Sequence, residues 1–278
     1  MIIKIFADFC DATCAKNIFE TYCACHNHTD ITITSDDNYT HAVILNTVMP
    51  EINIKKENVI GLAWEPVGFM YISEAFKKYA EKHIGKYFIG DIGNLQHPFQ
   101  ERYSYMWYVP APKELRTKDK VMSIAISHKK ITHNQRYRHQ IVEYIIAHNL
   151  PINIYGNGCK LYEHTNFNRL MGPFDSFSFP YENHIFSICI ENFVSNEYFS
   201  EKVINPLMCN CVPIYFGSPN IEKYTGDTII RISGNITDDM NLIVDILKSP
   251  MKFMKEINTK TIDNNVNFIK NVDNIFGL

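Results

Sequence analysis

The residues with the clearest potential for chemistry lie in one stretch of the second half of the chain, residues 186–219. The apolar run Phe186–Ile190 predicts a β-strand, and this strand leads directly into Glu191 and Asn192. A short loop then reaches Tyr198. Because ligands of open parallel sheets bind at the carboxyl ends of the strands, polar side chains that directly follow a strand are candidates for binding.

The helix predicted to follow, Ser200–Asn210, offers three groups that suit a nucleoside diphosphate. Ser200 can cap the helix, and the N–H groups of the first turn then carry partial positive charge that suits phosphate. Lys202 adds an ammonium in that turn, and Glu201 can accept hydrogen bonds from the two ribose hydroxyls. Taken alone, an adjacent Glu-Lys pair is more typical of a solvated helix start. The surrounding sequence pattern is therefore needed to distinguish a nucleotide-binding site from this alternative.

Over residues 191–219, the pattern E-N-x5-Y-F-S-E-K, an apolar helix and V-P-I-Y-F-G-S-P resembles the donor-binding motif of the α-1,3-fucosyltransferases, glycosyltransferase family 10. The order and spacing of the polar residues make this motif far more specific than a lone glycine signature. Two departures occur: Ile190 replaces the phenylalanine usual before Glu-Asn, and Pro206 lies inside the predicted helix. Pro206 should kink that helix, but it lies beyond the first turn, where phosphate would bind.

The resemblance implies a site for the donor GDP-fucose, with four nucleotide-binding residues in this stretch: Asn192, Tyr198, Glu201 and Lys202. Upstream, Arg138 occupies the place of a family arginine that contacts the donor phosphates. Its guanidinium is always charged and can fork onto two oxygens, although spacing alone is equally consistent with an exposed helix position. Lys160, after Gly156-Asn157-Gly158, would face the same site as a further basic residue.

In the first half of the chain, Gly61-Leu62-Ala63-Trp64-Glu65-Pro66 ends a predicted strand. Members of family 10 carry a Gly-Glu-Asn-like element here, whose glutamate is their proposed general base. The resemblance therefore implies Glu65 as the catalytic base, although Trp64 and Pro66 differ from the family pattern. Contact with Trp64 would remove water from the carboxyl and raise its pKa toward neutral pH. The alternative is a carboxylate that only caps a turn.

Neither a metal nor a cofactor is predicted. The acidic pair Asp36-Asp37 and the single Asp91 do not form the D-x-D that metal-dependent transferases use to hold a diphosphate. Cysteines and histidines gather near the N-terminus, but their spacings differ from the usual C-x2-C ligand pairs of zinc sites: Cys10, Cys14, Cys23, Cys25, His26 and His28. A helix from about Asp11 to Cys25 with inward-packed cysteines is the more typical interpretation.

Both halves of the chain alternate short apolar runs with helical stretches, which predicts α/β domains built on parallel sheets. Between them, Val109–Lys120 contains two prolines and six charged residues without apolar periodicity, as is typical of a linker. We therefore predict an N-terminal acceptor-side domain over residues 1–115 and a donor-binding domain over residues 116–278. The resemblance implies two Rossmann-like domains facing a central crevice, the GT-B architecture.

The 278 residues carry a formal net charge of -3 and a pI near 6.4, which gives no basic surface for nucleic acid. No window contains the roughly 20 apolar residues that a membrane helix needs, and the N-terminus lacks the pattern of a signal peptide. These features predict a soluble, cytoplasmic protein with eight reduced cysteines. Compared with the Golgi-anchored members of the family, they suggest a microbial or viral origin.

The reaction that the resemblance implies is the inverting transfer of L-fucose from GDP-β-L-fucose to a hydroxyl of a glycan or glycoprotein acceptor. Two alternatives stay open: a transferase of the same architecture that uses another nucleotide sugar, and a glycan- or nucleotide-binding protein without activity. The aromatic segments Gly68–Tyr71 and His97–Tyr108 would stack on acceptor sugars, or equally pack in the protein interior.

Overall fold

The computed structural model describes residues 1–22, 30–114 and 116–277. Contacts within the chain divide it into two compact units. The first unit consists of Met1–Pro110, Ser195–Tyr198 and Asp263–Leu278, and the second consists of Ala111–Val194 and Phe199–Ile262. Each unit contains a six-stranded parallel sheet, so the α/β class predicted from the alternating pattern is confirmed.

The sheet of the first unit has the strand order β2-β1-β3-β4-β5-β6, and each pair of neighbours is parallel. Its strands are β1 (Ile2–Phe6), β2 (Thr32–Thr34), β3 (His41–Leu45), β4 (Val59–Leu62), β5 (Lys86–Ile89) and β6 (Phe99–Glu101). Helix α1 (Ala12–Tyr22) follows β1, and helix α2 (Glu74–His83) follows β4. Because parallel strands end at the same edge, the loops after β1, β3 and β4 lie along one edge of this sheet.

The sheet of the second unit has the strand order β12-β11-β10-β7-β8-β9, again with parallel neighbours. Its strands are β7 (Lys120–Ala125), β8 (Ile152–Tyr155), β9 (Leu170–Gly172), β10 (His184–Ile190), β11 (Val212–Phe216) and β12 (Ile230–Arg231). The helices between them are α3 (His133–Ala147), α4 (Phe179–Glu182), α5 (Glu201–Met208) and α6 (Glu222–Thr225), and α7 (Ile236–Lys248) comes after β12.

Strand β10 is the central strand that positions the candidate site. Phe186, Ile188 and Ile190 are buried on it, together with Ile214 on its neighbour β11. These alternate residues of β10 share one face, and Ser187 on the other face is buried as well. Burial on both faces is typical of a parallel strand that is covered by helices on both sides. The end of β10, and the residues that directly follow it, are therefore held by a packed core.

Local sequence signals located the helix starts well. Ser73, of a residue type that favours helix starts, caps α2, and its hydroxyl accepts a hydrogen bond from the N–H of Phe76 at 3.1 Å. Helix α3 begins at His133, because Thr132 and Gln135 form a capping box. Strands β6 and β9 escaped prediction, since each has three residues at the edge of its sheet and shows no alternation long enough to recognise.

The C-terminal residues belong to the first unit, whereas the predicted division into residues 1–115 and 116–278 placed them in the second domain. Helix α8 (Thr259–Val266) crosses the boundary between the units, and residues 263–278, which include α9 (Val272–Phe276), belong to the first unit. Phe268 packs edge-on against Phe19 at 5.4 Å, and Phe276 packs against His41 at 4.8 Å. These aromatic contacts join residues that are distant in sequence, so nothing in the Asn- and Ile-rich tail indicated its partners.

Helix α1 buries Ala15 and Phe19, whereas Cys14 is exposed and Cys10 is half-buried. The prediction that the cysteines of this helix pack inward is therefore wrong for Cys14, because the helix turns other residues toward the sheet. The remaining members of the predicted cluster, Cys23, Cys25, His26 and His28, lie outside the described residues. Among the helices that the structure describes, none is both long and apolar enough to cross a membrane.

Candidate donor-binding site

The candidate site lies at the carboxyl edge of the second sheet, where three neighbouring strands end. Strand β10 is hydrogen-bonded to β7 on one side and to β11 on the other, with Ile190 opposite Phe216. The loops after these strands therefore lie side by side, and they are the segments 126–132, 191–200 and 217–221. In open parallel sheets this edge is where ligands bind.

Helix α5 begins at this edge with a well-defined N-cap. Ser200 has extended backbone angles, and its hydroxyl accepts a hydrogen bond from the N–H of Lys202 at 3.3 Å. The remaining N–H groups of the first turn are directed toward the loop region, where a helix N-terminus favours negative charge. The predicted capped N-terminus of this helix is therefore present, and Pro206 lies beyond its first turn.

Glu191 fixes this N-cap in place. It is fully buried, and its two carboxylate oxygens accept hydrogen bonds from the N–H and the hydroxyl of Ser200 at 2.8 and 2.7 Å. Burial raises the pKa of Glu191, against the lowering effect of the nearby Lys202. The sequence-based interpretation placed Glu191 only at a strand end and gave it no role. Its position directly after an apolar strand was the available signal, because a carboxylate there needs partners.

Lys202 lies beside two carboxylates at the start of α5. Its ammonium is 2.9 Å from Oε1 of Glu201 and 3.1 Å from Oγ of Ser200. Burial alone would lower the pKa of Lys202, but Glu201 and Glu191 raise it above the usual value. Lys202 is therefore an ammonium at neutral pH, and two of its three N–H donors have partners, so one remains for a ligand.

Arg138 reaches the same edge from helix α3. Its Nη2 donates to the carbonyl of Ile190 and, at 3.4 Å, to Oδ1 of Asn192. Only 6% of the residue is exposed, so the alternative of an exposed helix position is wrong. Burial lowers the pKa of Arg138, and the carboxylates of Glu191 and Glu201 oppose this effect. Nε and Nη1 form no hydrogen bond with any residue that the structure describes, which leaves three N–H donors for a ligand.

Lys160 follows β8 at the same edge, in the 3-10 helix Asn157–Thr165. It is exposed and forms no ion pair within the described ranges. Two strand spacings of about 4.8 Å separate β8 from β10, so Lys160 lies farther from α5 than Arg138 does. Gly156, before this helix, has φ +100, and a Cβ there would lie 2.2 Å from the carbonyl oxygen of Ile126. The loop that carries Lys160 therefore depends on this glycine.

Tyr198 is buried, and contacts within the chain group it with the first unit. There its Cβ lies close to Gly90, at which an added Cβ would be 2.9 Å away. The structure thus brings Arg138, Asn192 and Lys202 together within the second unit and assigns Tyr198 to the other unit. A nucleotide-binding role for Tyr198 stays a prediction.

Glu65 follows β4 in the first unit, at the carboxyl edge of the first sheet. Its side chain is exposed, whereas Trp64 is buried and stacks on Phe19 with ring centroids 5.4 Å apart. The predicted partial loss of water from the carboxyl beside Trp64, with its raised pKa, stays a prediction. Glu65 faces solvent, where it can accept a proton.

Within residues 1–22, 30–114 and 116–277, no three His, Cys, Asp or Glu side chains form a group that could hold a metal ion. The cations at the carboxyl edge of the second sheet include Arg138, Lys202 and Lys160, which suit an anionic ligand.

Gly217 keeps the loop after β11 tight against Glu191. A Cβ at this position would lie 2.3 Å from the hydroxyl of Tyr215 and 2.6 Å from Cγ of Glu191. We expect Gly217→Ala to displace one of these side chains, with a loss of about 1–3 kcal/mol in the free energy of unfolding and weaker GDP binding. Thermal unfolding and calorimetric titration with GDP measure both effects. Pro219→Ala, at an exposed position of the same loop, is the control, and equal behaviour of the two variants would contradict the expectation.

Comparison with solved structures shows the fold that the chain shares with other proteins. The chain is similar to an α1,3-fucosyltransferase with GDP, with a TM-score of 0.57 and 14% identity over 100% of this chain and 90% of that chain. For an α1,3-fucosyltransferase with GDP-fucose, the TM-score is 0.53 and the identity 13%, over 90% and 79% of the two chains. A glycosyltransferase from Rickettsia africae ESF-5 gives a TM-score of 0.61 and 11% identity, over 99% and 97%. These similarities show a shared fold, the GT-B architecture of glycosyltransferases.

Sequence comparison narrows this class to a family. Residues 115–234 match the family model described as glycosyltransferase family 10 (fucosyltransferase) C-term. The chain is therefore a glycosyltransferase whose segment 115–234 belongs to family 10, as its motif predicted. This segment contains Arg138, Asn192 and Lys202, whereas Glu65 lies outside it. A search of curated proteins gave no match.

Proposed function

We propose that this chain transfers L-fucose from GDP-β-L-fucose to a hydroxyl of a glycan or glycoprotein acceptor, with inversion at the anomeric carbon. The observation that carries the proposal is the meeting of Arg138, Lys202 and the capped N-terminus of α5 at one sheet edge, inside the family 10 segment. This edge offers N–H donors and positive charge, which a diphosphate leaving group requires.

In the proposed donor complex, the unused N–H groups of Arg138 and Lys202 bind the diphosphate oxygens. Glu201 has one carboxylate oxygen on Lys202, so its other oxygen can accept the ribose hydroxyls. Asn192 and Tyr198 contribute to the nucleotide site, and Lys160 adds a more distant cation. As the bond between sugar and diphosphate breaks, negative charge grows on GDP. Because the cations are already in place, they stabilise this charge without reorganisation.

Glu65 is the proposed general base. The acceptor hydroxyl oxygen attacks the anomeric carbon from the face opposite the diphosphate, and its proton passes to the Glu65 carboxylate. The bond from the anomeric carbon to the diphosphate oxygen breaks in the same step, and GDP leaves with the electron pair. An exposed carboxylate at a strand end suits this role, since it can take the proton and release it to solvent.

Transfer is expected to need no metal ion, because protein cations and helix N–H groups occupy the role that a metal would fill at the diphosphate. After EDTA treatment, we expect the rate with GDP-fucose to stay within about twofold of its starting value. A change of about 1.4 kcal/mol in the activation free energy would change this rate tenfold. The measurement is GDP release before and after chelation. A complete loss that manganese restores would overturn the metal-independent part of the proposal.

The test of the donor is a thermal-unfolding screen of the protein against nucleotides and nucleotide sugars. A ligand that binds the native state raises the midpoint, by an amount equivalent to about 2.7 kcal/mol at one hundred times its Kd. GDP and GDP-fucose are expected to stabilise the protein, and the uridine counterparts are not. Stabilisation by UDP-sugars alone would favour the alternative of a same-fold transferase with another donor, since the residues of this edge explain diphosphate and ribose more directly than fucose.

A further inference from the structure

Asn46 connects three strand ends of the first sheet. It directly follows β3 and is 94% buried, since only 6% of it is exposed. Its Oδ1 accepts a hydrogen bond from the backbone N–H of Trp64 at 3.0 Å, and its Nδ2 donates to Oδ1 of Asp8 at 3.1 Å. The backbone N–H of Trp64 can only donate, so the orientation of the Asn46 amide is determined, and its NH2 group faces Asp8.

The backbone of Asn46 is held as firmly as its side chain. Its N–H donates to the carbonyl of Leu62 at 3.0 Å, and its carbonyl accepts from the hydroxyl of Tyr87 at 2.7 Å. Its φ of 53 lies in the left-handed region, which asparagine tolerates better than most residues. Hydrogen bonds therefore hold Asn46 in place between the end of β1, which carries Asp8, and the end of β4, which carries Glu65.

Asp8 and its neighbour Phe9 present a carboxylate and an aromatic ring to solvent. Asp8 is exposed, and Asn46 holds one of its two oxygens, so the other is available to a ligand. Phe9 is 52% exposed and stacks on Trp64, with ring centroids 6.2 Å apart and an interplanar angle of 24°. One ring face therefore packs on Trp64, and the other has no aromatic partner among the residues that the structure describes, so it can receive a ligand.

A flat apolar face beside an oriented hydrogen-bond acceptor matches the two surfaces of a pyranose. The C–H face of a sugar ring packs on an aromatic ring, and its hydroxyls donate to carboxylates. Sites for small molecules commonly combine apolar lining with a few fixed polar groups of this kind. Neither residue lies within the family 10 segment, which begins at residue 115.

We propose that Asp8, held by Asn46, binds a hydroxyl of the acceptor sugar, and that this sugar is a pyranose stacked on Phe9. Asn46 is then a positioning residue, because its one amide binds Asp8 and the backbone N–H of Trp64, the residue before Glu65. The inference rests on the proposed function and adds the acceptor class and its subsite.

The test compares two rates with GDP-fucose: hydrolysis, measured as GDP release in water, and transfer to a panel of free hexoses and N-acetylhexosamines. We expect Asp8→Asn to lower the ratio of transfer to hydrolysis about tenfold or more, because only transfer uses the acceptor hydroxyl. Phe9→Leu should lower the ratio in the same direction. Asp30→Asn is the control, since Asp30 is an exposed carboxylate just before β2, at the opposite edge of the sheet, and should keep the wild-type ratio.

A double variant separates ligand binding from a purely structural role. Asn46→Asp keeps an acceptor for the N–H of Trp64 but places like charges side by side, so transfer should fall. Adding Asp8→Asn re-forms the hydrogen bond with donor and acceptor exchanged. If the pair only ties the strand ends together, the double variant regains the wild-type ratio, which would overturn the proposal. We expect the ratio to stay low, because the carboxylate has left position 8.

The wild-type chain distinguishes this inference from the proposed function. GDP release from GDP-fucose with an unchanged ratio in Asp8→Asn would overturn the acceptor subsite alone. Hydrolysis without transfer to any sugar of the panel would overturn the pyranose assignment. If the wild-type chain does not turn over GDP-fucose, the proposed donor is wrong, and the ratio is measured with the nucleotide sugar that stabilises the protein most. Turnover of none of them overturns both.

Discussion

Replacement of Glu65 by glutamine is expected to abolish sugar transfer while GDP still binds with nearly wild-type affinity. The amide keeps the shape of the side chain but cannot accept the proton of the acceptor hydroxyl. General base catalysis contributes about 10²–10⁴ in rate, so kcat should fall by at least the lower figure. Glu65 is exposed, and substitutions at exposed positions usually change stability by less than about 0.5 kcal/mol. A loss of activity would therefore report chemistry and not unfolding.

The matched control for Glu65→Gln is Glu57→Gln. Glu57 is also exposed and lies in the 3-10 turn Lys56–Asn58 directly before β4, at the opposite end of the same strand. This control should transfer sugar at the wild-type rate. The measurements are initial rates of GDP release with acceptor present and calorimetric titration with GDP. If Glu65→Gln turned over like the wild-type chain, the base would have to be another residue.

The second large effect is expected for Arg138→Ala, which should weaken GDP binding about tenfold to a hundredfold. A hydrogen bond to a charged group is worth about 1.5–3 kcal/mol, and Arg138 has three N–H donors that form no hydrogen bond with any described residue. The substitution also leaves the carbonyl of Ile190 without its Arg138 donor. A loss of about 1–3 kcal/mol in the free energy of unfolding should accompany the loss of affinity.

Two further variants separate these contributions. Arg138→Lys keeps the charge but removes the forked donors, so it should recover only part of the affinity for GDP. Arg116→Ala is the control for arginine loss, since Arg116 is exposed, pairs with Glu182 at 3.2 Å and precedes β7 at the opposite edge of the sheet. GDP affinity that is equal in Arg138→Ala and Arg116→Ala would contradict the assignment of the donor site to the carboxyl edge.

Several features of the fold could be predicted because their causes are local. Alternating strands and helices follow from apolar periodicity, and Ser73 starts a helix because its hydroxyl reaches a backbone N–H three residues away. The motif over residues 191–219 could also be recognised locally, since Asn192, Glu201 and Lys202 lie within eleven residues of one another. Short range in sequence makes such patterns readable without a structure.

Other features depend on contacts between distant residues. Arg138 and Ile190 are 52 positions apart, and only the placement of β7 beside β10 brings α3 to the end of β10. Burial of Arg138 excluded the exposed helix position that spacing in the sequence also allowed. Whether a polar side chain faces water or packs against a neighbour depends on how distant segments assemble into the sheet. A local sequence pattern does not contain this information.

The sequence by itself determined the class of fold and the match to the family 10 motif, since periodicity, capping and motif order are properties of short segments. Only the tertiary structure shows that Glu191 accepts hydrogen bonds from the N-cap of α5 and that Asn46 donates to Asp8. It also shows that Arg138 keeps N–H groups without partners among the described residues. It also shows that residues 263–278 belong to the first unit. The physical reason is the same in each case: these roles arise from hydrogen bonds and packing between segments that meet only when both sheets have formed.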